Sequence, residues 1–351
     1  MKVIVDNKIP YIHAAVEQIA DEVVYLPGSG FTVADVRDAD ALVVRTRTCC
    51  NRELLEGSKV KFIATATIGF DHIDVDYCRE AGIVWQNCPG CNAGSVEQYL
   101  HSVLLLLKHR KGMRLEDACL GIVGVGHVGS RIERMARSLG LHVLLSDPPR
   151  ADRGEAGFVD LSVLARECDV ITFHTPLNRD GEYNTFHLAD AGFFAELQRK
   201  PFIVNTSRGE VIETSALLDA LRTGKISDAV IDTWENEPDI NLELLRQVFL
   251  GTPHIAGYSA DGKSNATRMA LEALCEFFQI QADFKIVPPA LPPMAYSSDP
   301  EEAFLQVYDP MRDSDALKLH PEEFERLRGN YPLRREITSS IIGEGLETYD
   351  N

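Results

Sequence analysis

Three side chains suited to acid–base and anion chemistry, Arg208, Glu237 and His254, each follow a short apolar run of the sequence. An arginine can hold a carboxylate and polarise a neighbouring oxygen. A histidine titrates near neutral pH and suits proton transfer, and a glutamate beside it favours the charged imidazole. Each residue alone is more often an ordinary surface or capping residue. Together they predict the oxidation of a 2-hydroxy acid by hydride transfer, with His254 taking the hydroxyl proton.

The apolar runs near these residues predict four parallel strands, at residues 169–173, 201–205, 228–232 and 248–251. The carboxyl ends of parallel strands lie at one edge of a sheet, where open α/β sheets bind their ligands. We therefore expect Arg208, Glu237 and His254 to share one crevice with a cofactor. Asp232, at the end of its strand, is predicted to accept a hydrogen bond from a nicotinamide amide.

A glycine-rich turn indicates which cofactor this is. Gly124, Gly126 and Gly129 form a GxGxxG pattern between an apolar run and a helical pattern. The first glycine permits a tight turn, the second lets a pyrophosphate approach the backbone, and the third allows close helix–strand packing. The start of the helix offers free N–H groups to the phosphates. His127 and Val128, between the last two glycines, are therefore also predicted to contact a dinucleotide.

Asp147 follows the next apolar run, 21 residues after Gly126. A carboxylate at this distance can bind the adenosine ribose hydroxyls and would repel a 2′-phosphate, which favours NAD over NADP. Arg150 lies close in sequence and could instead accommodate such a phosphate. The order of strand, glycine-rich turn, helix, strand and acid predicts an NAD site.

The first 95 residues repeat a strand–helix rhythm, with strands predicted at residues 3–6, 41–45, 61–67 and 83–85 and a helix at 11–20. This alternation is typical of a parallel sheet covered by helices. Five residues fall at or just after two strand ends: Arg45, Thr46, Arg47, Thr67 and Gly69. Two guanidinium groups and two hydroxyls at one edge suit a phosphate or carboxylate. A solvated basic loop is the alternative for either arginine alone.

A long helix is predicted over residues 95–108 from its apolar face. Ser95 begins this helix, and Gln98, three residues later, has the spacing of a capping-box partner. The length of the helix suits a connection from one domain to the next, immediately before the GxGxxG strand.

The C-terminal part of the sequence is different in character. Five prolines between residues 288 and 300 predict a linker, and residues 301–351 form a charged tail with apolar clusters at 304–308 and 337–342. About fifty residues are few for an independent core. We therefore expect the tail to pack on the main body or on a second subunit.

The composition argues against several classes of function. The 351 residues carry a net charge of −18, with 45% hydrophobic and 25% charged residues. This charge argues against nucleic-acid binding, and no apolar run approaches the ~20 residues of a membrane span. Eight cysteines without a visible signal peptide predict reduced thiols in a cytoplasmic protein. No metal site is predicted, because the single CxxC has no second pair to complete it.

Four stretches together resemble the D-isomer-specific 2-hydroxyacid dehydrogenases: the GxGxxG turn and residues 205–209, 232–238 and 252–257. The resemblance implies an α/β fold with two doubly wound parallel sheets. It implies an NAD-binding Rossmann domain at 96–257, a flavodoxin-like substrate domain at 1–95 and 258–285, and a small C-terminal α+β dimerisation domain at 286–351.

The resemblance also implies roles for individual residues. The catalytic residues would be Arg208, Glu237 and His254. The residues in contact with NAD would include Asp147, Thr175, Asp232 and Gly257. The substrate would be bound by Thr46, Thr67 and Tyr258. Thr46 stands where serine is expected, and it keeps the hydroxyl.

Several stretches look closer to one branch of this family, whose members oxidise a small phosphorylated 2-hydroxy acid as cytoplasmic homodimers. They include residues 89–92, 147–153, 172–176, 187–190 and 254–259. The rivals within the family are 3-phosphoglycerate dehydrogenases and glyoxylate or hydroxypyruvate reductases. The short tail argues against the first of these, which often carry a different regulatory domain. A rival outside the enzymes is an NAD-sensing scaffold of the corepressor kind.

Overall fold

The computed structural model describes residues 1–336, so the predicted apolar cluster at 337–342 lies outside the described residues. Contacts divide the chain into two units. The first unit comprises Met1–Asn92 and Ser259–Leu291, and the second comprises Ala93–Tyr258 and the segment from Pro292 onward. The second unit is therefore inserted between two pieces of the first, and the C-terminal tail is grouped with it.

All strand pairs in both sheets are parallel. The strands are β1 Lys2–Asp6, β2 Glu22–Leu26, β3 Ala41–Val44, β4 Phe62–Thr65, β5 Val84–Gln86, β6 Cys119–Val123, β7 His142–Ser146, β8 Val170–Phe173, β9 Phe202–Asn205, β10 Asp228–Ile231 and β11 Leu250–Gly251. The helices are α1 His13–Val16, α2 Val33–Val36, α3 Arg52–Leu55, α4 Val75–Ala81, α5 Ala93–Lys111, α6 His127–Ser138, α7 Pro148–Asp152, α8 Leu161–Glu167, α9 Ala191–Glu196, α10 Thr214–Arg222, α11 Leu242–Gln247, α12 Ala260–Phe278, α13 Pro300–Val307, α14 Met311–Leu319 and α15 Phe324–Gly329.

The first unit contains a five-stranded sheet in the order β2-β1-β3-β4-β5. Every residue of β3 and β4 is buried, as expected for parallel strands covered on both faces. This strand order is that of a flavodoxin-like sheet. The helix α12 returns to this unit and packs against β4.

The second unit contains a six-stranded sheet in the order β11-β10-β9-β8-β6-β7. A single bridge between Leu145 and Phe158 lies beside β7, at the position of a further edge strand. The direction of winding reverses between β6 and β8, and such a switch point is where α/β sheets bind ligands. The predicted fold class of two doubly wound parallel sheets is confirmed.

Some elements differ from the sequence predictions. Helix α1 has four residues where residues 11–20 were expected to be helical, and β2 was not predicted. Ser95 does not cap a helix, because α5 begins at Ala93. The Ser95 hydroxyl donates to Glu336 (2.8 Å) and the Gln98 amide donates to the carbonyl of Arg335 (3.0 Å). The predicted capping box was therefore wrong, and its two residues bind the C-terminal segment instead.

The C-terminal segment packs on the second unit, and up to residue 336 it contains helices and no strand. Helix α14 lies against the edge strand β11, where the N–H of Gly251 donates to the Ser314 hydroxyl (3.0 Å). The Lys318 ammonium donates to the carbonyl of Val248 (2.6 Å). Packing on the main body is thus observed, whereas the predicted β component has no counterpart in this range.

Arg334 fastens the end of this segment. Its side chain is buried and donates to the Gln98 side chain (2.9 Å) and to the Ile255 carbonyl (3.2 Å). The guanidinium carbon lies 3.7 Å from the centre of the Tyr308 ring. These hydrogen bonds and the contact with the ring offset part of the cost of burying the guanidinium charge. The tail is consequently fixed to the turn that follows His254.

Two loops at the carboxyl edge of the second sheet touch through their backbones at Gly209. A Cβ atom on Gly209 would overlap the backbone carbon and oxygen of Trp234. The indole N–H of Trp234 in turn donates to the carbonyl of Thr252 (2.9 Å). Glycine is therefore required at this position for the two loops to lie together.

We predict that Gly209→Ala lowers the free energy of unfolding by about 1–3 kcal/mol, because the added methyl group must displace rigid backbone. Urea unfolding followed by tryptophan fluorescence measures this change. The matched control is Gly329→Ala in the same unit, where a Cβ would meet nothing within 4 Å. Equal stability of the two variants would contradict the prediction.

Candidate active site

The glycine-rich turn follows β6 and is shaped by close packing. Gly124 has a φ of +86°, and a Cβ there would lie 2.9 Å from the backbone of His174. A Cβ on Gly129 would overlap the carbonyl oxygen of Gly124. A Cβ on Gly126 would meet nothing within 4 Å. Gly124 and Gly129 thus permit the packing of turn and helix, whereas the backbone at Gly126 remains open to a ligand.

His127 and Val128 form the start of α6, whose N-cap residue is Gly126. The first N–H groups of a helix have no partners within the helix. They also carry the positive end of the helix dipole. His127 and Val128 thus lie at the start of a helix, next to a glycine whose backbone is accessible. This position suits the binding of a pyrophosphate.

Asp147 follows β7 and is tied to the glycine-rich turn. Its carboxylate accepts from the N–H of Val125 (2.8 Å) and from the N–H of Arg150 (3.1 Å). The guanidinium of Arg150 donates to Glu155 (2.8 and 2.6 Å). The arginine that could have accommodated a 2′-phosphate is therefore already engaged with a carboxylate. This arrangement fits a ribose with free hydroxyls.

Two buried hydroxyls at this edge of the sheet have no hydrogen-bond partner in the described part of the chain, Thr175 Oγ1 and Thr233 Oγ1. Thr175 lies against the glycine-rich turn, since its methyl carbon is 2.9 Å from the Cβ position of Gly124. Thr233 directly follows Asp232. An unpaired buried hydroxyl costs free energy, so each site suits a ligand with a polar group. The residues present therefore fit a bound dinucleotide.

Glu237 and His254 form a hydrogen-bonded pair, with 2.8 Å between Glu237 Oε2 and His254 Nδ1. An ionised carboxylate can only accept, so Nδ1 carries the proton and Nε2 keeps a lone pair in the neutral ring. His254 has a φ of +56°, which is a strained conformation for a residue with a side chain. Both side chains keep some exposure, 27% for His254 and 17% for Glu237. The pair can therefore accept a proton at Nε2.

The pKa of Glu237 reflects opposing effects. Burial alone would raise it, but the hydrogen bond and charge of His254 lower it. The N–H of Trp234, which donates to Glu237 Oε1 (2.9 Å), and the charge of Arg328 lower it further. The net pKa lies below the usual value, so Glu237 is ionised at neutral pH and can stabilise an imidazolium.

Asp232 holds the backbone around His254. Its carboxylate is almost fully buried and accepts from the Thr252 hydroxyl (2.6 Å) and from the N–H groups of Ile255 (2.7 Å) and Ala256 (3.0 Å). Burial raises the pKa of Asp232, while the His254 charge and these hydrogen bonds oppose the rise. The partners seen in the structure all belong to the His254 loop. The contact of Asp232 with a nicotinamide stays a prediction.

Arg208 extends from a loop that Asn205 shapes at the end of β9. The Asn205 side chain accepts from the Ser207 hydroxyl (2.8 Å) and donates to the Arg208 carbonyl (2.9 Å). The guanidinium of Arg208 donates to the Ser207 carbonyl (2.8 Å) and is half-buried. Through Gly209, this loop lies against the Trp234 backbone, three residues before Glu237.

His174 was not singled out by its sequence, although it lies at the carboxyl end of β8. Its ring nitrogens lie 2.8 Å from the Thr172 hydroxyl and 3.2 Å from the Thr206 hydroxyl. Burial lowers the pKa of His174 to about 3. It therefore stays neutral at working pH and joins the ends of β8 and β9, which excludes it as the acid–base residue.

The predicted anion-binding residues of the first unit lie at the carboxyl ends of β3 and β4. Arg45 directly follows β3 and donates to the Lys8 carbonyl (2.8 Å), and Thr46 is exposed in the next turn. The Thr67 hydroxyl donates to the Gly69 carbonyl (2.8 Å). The structure therefore places these residues at two adjacent strand ends, as the sequence predicts.

The predicted residues Gly257 and Tyr258 follow the His254 loop in the second unit. Gly257 lies in the turn after Ala256, whose N–H Asp232 binds. The Tyr258 hydroxyl accepts from Arg328 Nε (3.2 Å), and its ring meets that of Tyr331 edge-on.

No group of three or more His, Cys, Asp or Glu side chains within residues 1–336 is arranged to hold a metal ion. In the same range no helix is both long and apolar enough to span a bilayer.

Comparison with solved structures relates this fold to dehydrogenases. A D-lactate dehydrogenase from Aquifex aeolicus, complexed with NAD and lactic acid, superposes with a TM-score of 0.66 and shares the fold at 24% identity, covering 80% of this chain and 96% of that protein. An NAD-bound 3-phosphoglycerate dehydrogenase from Entamoeba histolytica gives a TM-score of 0.66 at 28% identity, covering 80% and 95%.

Sequence comparison is more specific. Residues 97–256 match the family model described as D-isomer specific 2-hydroxyacid dehydrogenase, NAD binding domain. Erythronate-4-phosphate dehydrogenase of Bacteroides fragilis is 63% identical over 338 residues, which is 96% of this chain and 97% of that protein. The enzyme of the same name from Cronobacter sakazakii is 43% identical, covering 97% and 94%. The chain therefore belongs to the erythronate-4-phosphate dehydrogenases, within the D-isomer-specific 2-hydroxyacid dehydrogenase family, and is an NAD-dependent dehydrogenase.

Proposed function

We propose that this protein oxidises 4-phospho-D-erythronate to (R)-3-hydroxy-2-oxo-4-phosphobutanoate with NAD, a step in the biosynthesis of pyridoxal 5′-phosphate (vitamin B6). The relatives of that name, which match almost the whole chain, support the choice of substrate. The observation that carries the chemistry is the Glu237–His254 hydrogen bond of 2.8 Å, at the same sheet edge as the glycine-rich turn.

In this proposal His254 is the general base. Nε2 of the neutral imidazole takes the proton of the C2 hydroxyl, and Glu237 stabilises the imidazolium that forms. NAD, which the glycine-rich turn and Asp147 would hold, would supply the acceptor for the hydride from C2. Arg208 binds the substrate carboxylate and polarises the C2 oxygen. The role of Glu237 uses the ionised form that its surroundings favour.

We propose that the cofactor contacts are those predicted from the sequence: Gly124, Gly126, His127, Val128, Gly129, Asp147, Thr175, Asp232 and Gly257. The unpaired Thr175 hydroxyl and the open backbone at Gly126 support this choice. The carboxylate of Asp147 would bind the ribose hydroxyls.

For the first unit we propose that Arg45, Thr46, Thr67 and Gly69 supply contacts to the substrate. Burial, together with the charge of Arg45, lowers the pKa of Lys263, so a second basic group acts on the same region. Local positive charge of this kind is needed because the whole chain carries −18. For the second unit, Tyr258 is the proposed substrate contact.

We further propose that the enzyme works in the cytoplasm as a homodimer formed by the C-terminal region at 286–351. All eight cysteines are free, in keeping with a reducing compartment. The tail resembles the C-terminal dimerisation domain of this branch of the family, and this resemblance supports the dimer. Sedimentation of the purified protein measures its mass directly, and a monomer at micromolar concentration would contradict the proposal.

The substrate is tested by NADH formation at 340 nm with 4-phospho-D-erythronate, 3-phospho-D-glycerate and D-glycerate, each with and without a 2-oxo acid acceptor. We expect a clear preference in kcat/KM for the four-carbon phosphate. A preference for 3-phosphoglycerate would be consistent with the proposed catalytic roles but would contradict the proposed substrate and pathway. NAD binding without turnover of any substrate would favour the scaffold alternative.

We predict that His254→Ala lowers kcat by about 10²–10⁴-fold, the usual contribution of a general base, and leaves NAD affinity unchanged. Steady-state kinetics and calorimetric titration with NAD measure the two quantities. His109→Ala is the control, since His109 also pairs with a glutamate (Glu301, 3.0 Å) but on an exposed surface. A loss below tenfold for His254→Ala would overturn its assignment as the base.

We predict that Asp147→Asn raises the KM for NAD by about tenfold and reduces the preference for NAD over NADP, because a neutral side chain no longer repels a 2′-phosphate. The value of kcat should change little. The two cofactors are compared at saturating substrate. Asp152→Asn is the control, because Asp152 is the last residue of α7, the helix that Asp147 caps, and its carboxylate accepts from the Tyr183 hydroxyl (3.0 Å). An unchanged cofactor ratio in Asp147→Asn would contradict this role.

A further inference from the structure

A basic residue of the C-terminal segment lies beside the Glu237–His254 pair. Arg328, near the end of α15, has Nη1 3.8 Å from Glu237 Oε2. Its Nε donates to the Tyr258 hydroxyl (3.2 Å), and its guanidinium carbon is 5.8 Å from the centre of that ring. One side chain thus touches both the partner of the proposed base and a proposed substrate residue.

Within residues 1–336, four other charged or titratable side chains bear on this contact. Glu237 faces His254 and Arg328, and Arg328 also faces Glu325 at 4.0 Å. Asp232 adds a second, buried negative charge near His254. The 3.8 Å separation is too long for a hydrogen bond, so Arg328 acts on Glu237 through its charge. Its hydrogen bond goes to Tyr258.

The position of Arg328 is fixed by packing on both sides of it. Phe324, at the start of α15, is 1% exposed in the core of the second unit. Tyr331, three residues after Arg328, meets the Tyr258 ring edge-on with 6.2 Å between centres. Arg334 then binds the Ile255 carbonyl, next to His254. The guanidinium therefore reaches the site from a constrained backbone, not from a freely moving tail.

We propose that Arg328 is a positioning residue of the active site, which orients Tyr258 and keeps a positive charge beside Glu237. The inference rests on the proposed function, because it acts through Glu237 and His254. It assigns the C-terminal segment a part in catalysis within its own subunit, in addition to the proposed dimer contact.

The direction of the effect follows from the charge. Oxidation requires Glu237 ionised and His254 neutral, so added protons inactivate the pair. The positive charge of Arg328 disfavours protonation of the pair, whether the proton binds to Glu237 or to His254. Loss of the Arg328 charge should therefore raise the apparent pKa of the pair. At about 4 Å even full water screening leaves a shift of about half a unit or more.

The test compares Arg328→Gln, which removes the charge, with Arg328→Lys, which retains it. The control is Arg326→Gln, which removes an exposed charge from the same helix. Two quantities are measured: the NMR titration of the His254 imidazole, assigned with His254→Ala, and the pH profile of kcat/KM. For Arg328→Gln we expect the titration and the acid limb to move up by about half a pH unit or more, with a loss of kcat/KM that grows as the pH falls and reaches about threefold on the acid limb. Arg328→Lys should leave the acid limb in place, and the control should match the wild type.

An unshifted titration in Arg328→Gln would overturn the proposal, whatever the activity of the variant. So would an equal loss of kcat/KM at every pH, because a merely structural role produces that result. If Arg328→Gln folds poorly, the test rests on Arg328→Lys, which keeps the charge. The proposal would be overturned if the acid limb of Arg328→Lys moved as far as we predict for Arg328→Gln. The titration needs no substrate, so the proposal can fail or stand independently of the substrate assignment.

Discussion

A buried carboxylate, that of Asp232, holds the loop from which the proposed catalytic base projects. It accepts three hydrogen bonds from the residues between Thr252 and Ala256, and it is 1% exposed. A charge in such a place is tolerated only when donors surround it, so the loop and the carboxylate require one another. The same bonds allow His254 to keep a left-handed backbone, which would otherwise relax. The direction of the imidazole towards Glu237 thus depends on a residue that need not touch the substrate.

The remaining loops of the site are joined to this one by groups that do no chemistry. Gly209 brings the Arg208 loop against the Trp234 backbone, and the Trp234 indole reaches back to the Thr252 carbonyl. The Trp234 N–H also binds the Glu237 carboxylate. Three successive strand ends are therefore linked by one glycine and one tryptophan. These contacts are made within the protein itself, so they can hold the loops in the fixed geometry that preorganised catalysis requires.

The sequence was most informative where strands end. Polar residues after apolar runs predicted the carboxyl edges of both sheets, and Asp147, predicted from its spacing to Gly126, does lie against the glycine-rich turn. It failed where a local pattern had a distant partner: Ser95 and Gln98 have the spacing of a capping box, yet they bind residues more than 230 positions away. The strand β2 carried a readable signal, Val23 to Leu26, that was missed. No local rule could have brought Arg328 to Glu237, because that contact depends on the packing of α15.

The C-terminal segment meets two structural needs with one arrangement. An edge strand such as β11 exposes unpaired backbone groups, which invite association with other chains. Helix α14 covers that edge, and Ser314 and Lys318 satisfy its backbone N–H and neighbouring carbonyl groups. The chain that follows this helix reaches the carboxyl end of the sheet, where Arg334 binds the turn after His254. The segment that protects the sheet edge therefore also carries Arg328 beside Glu237, and substitutions that loosen α14 should lower kcat/KM as well as solubility.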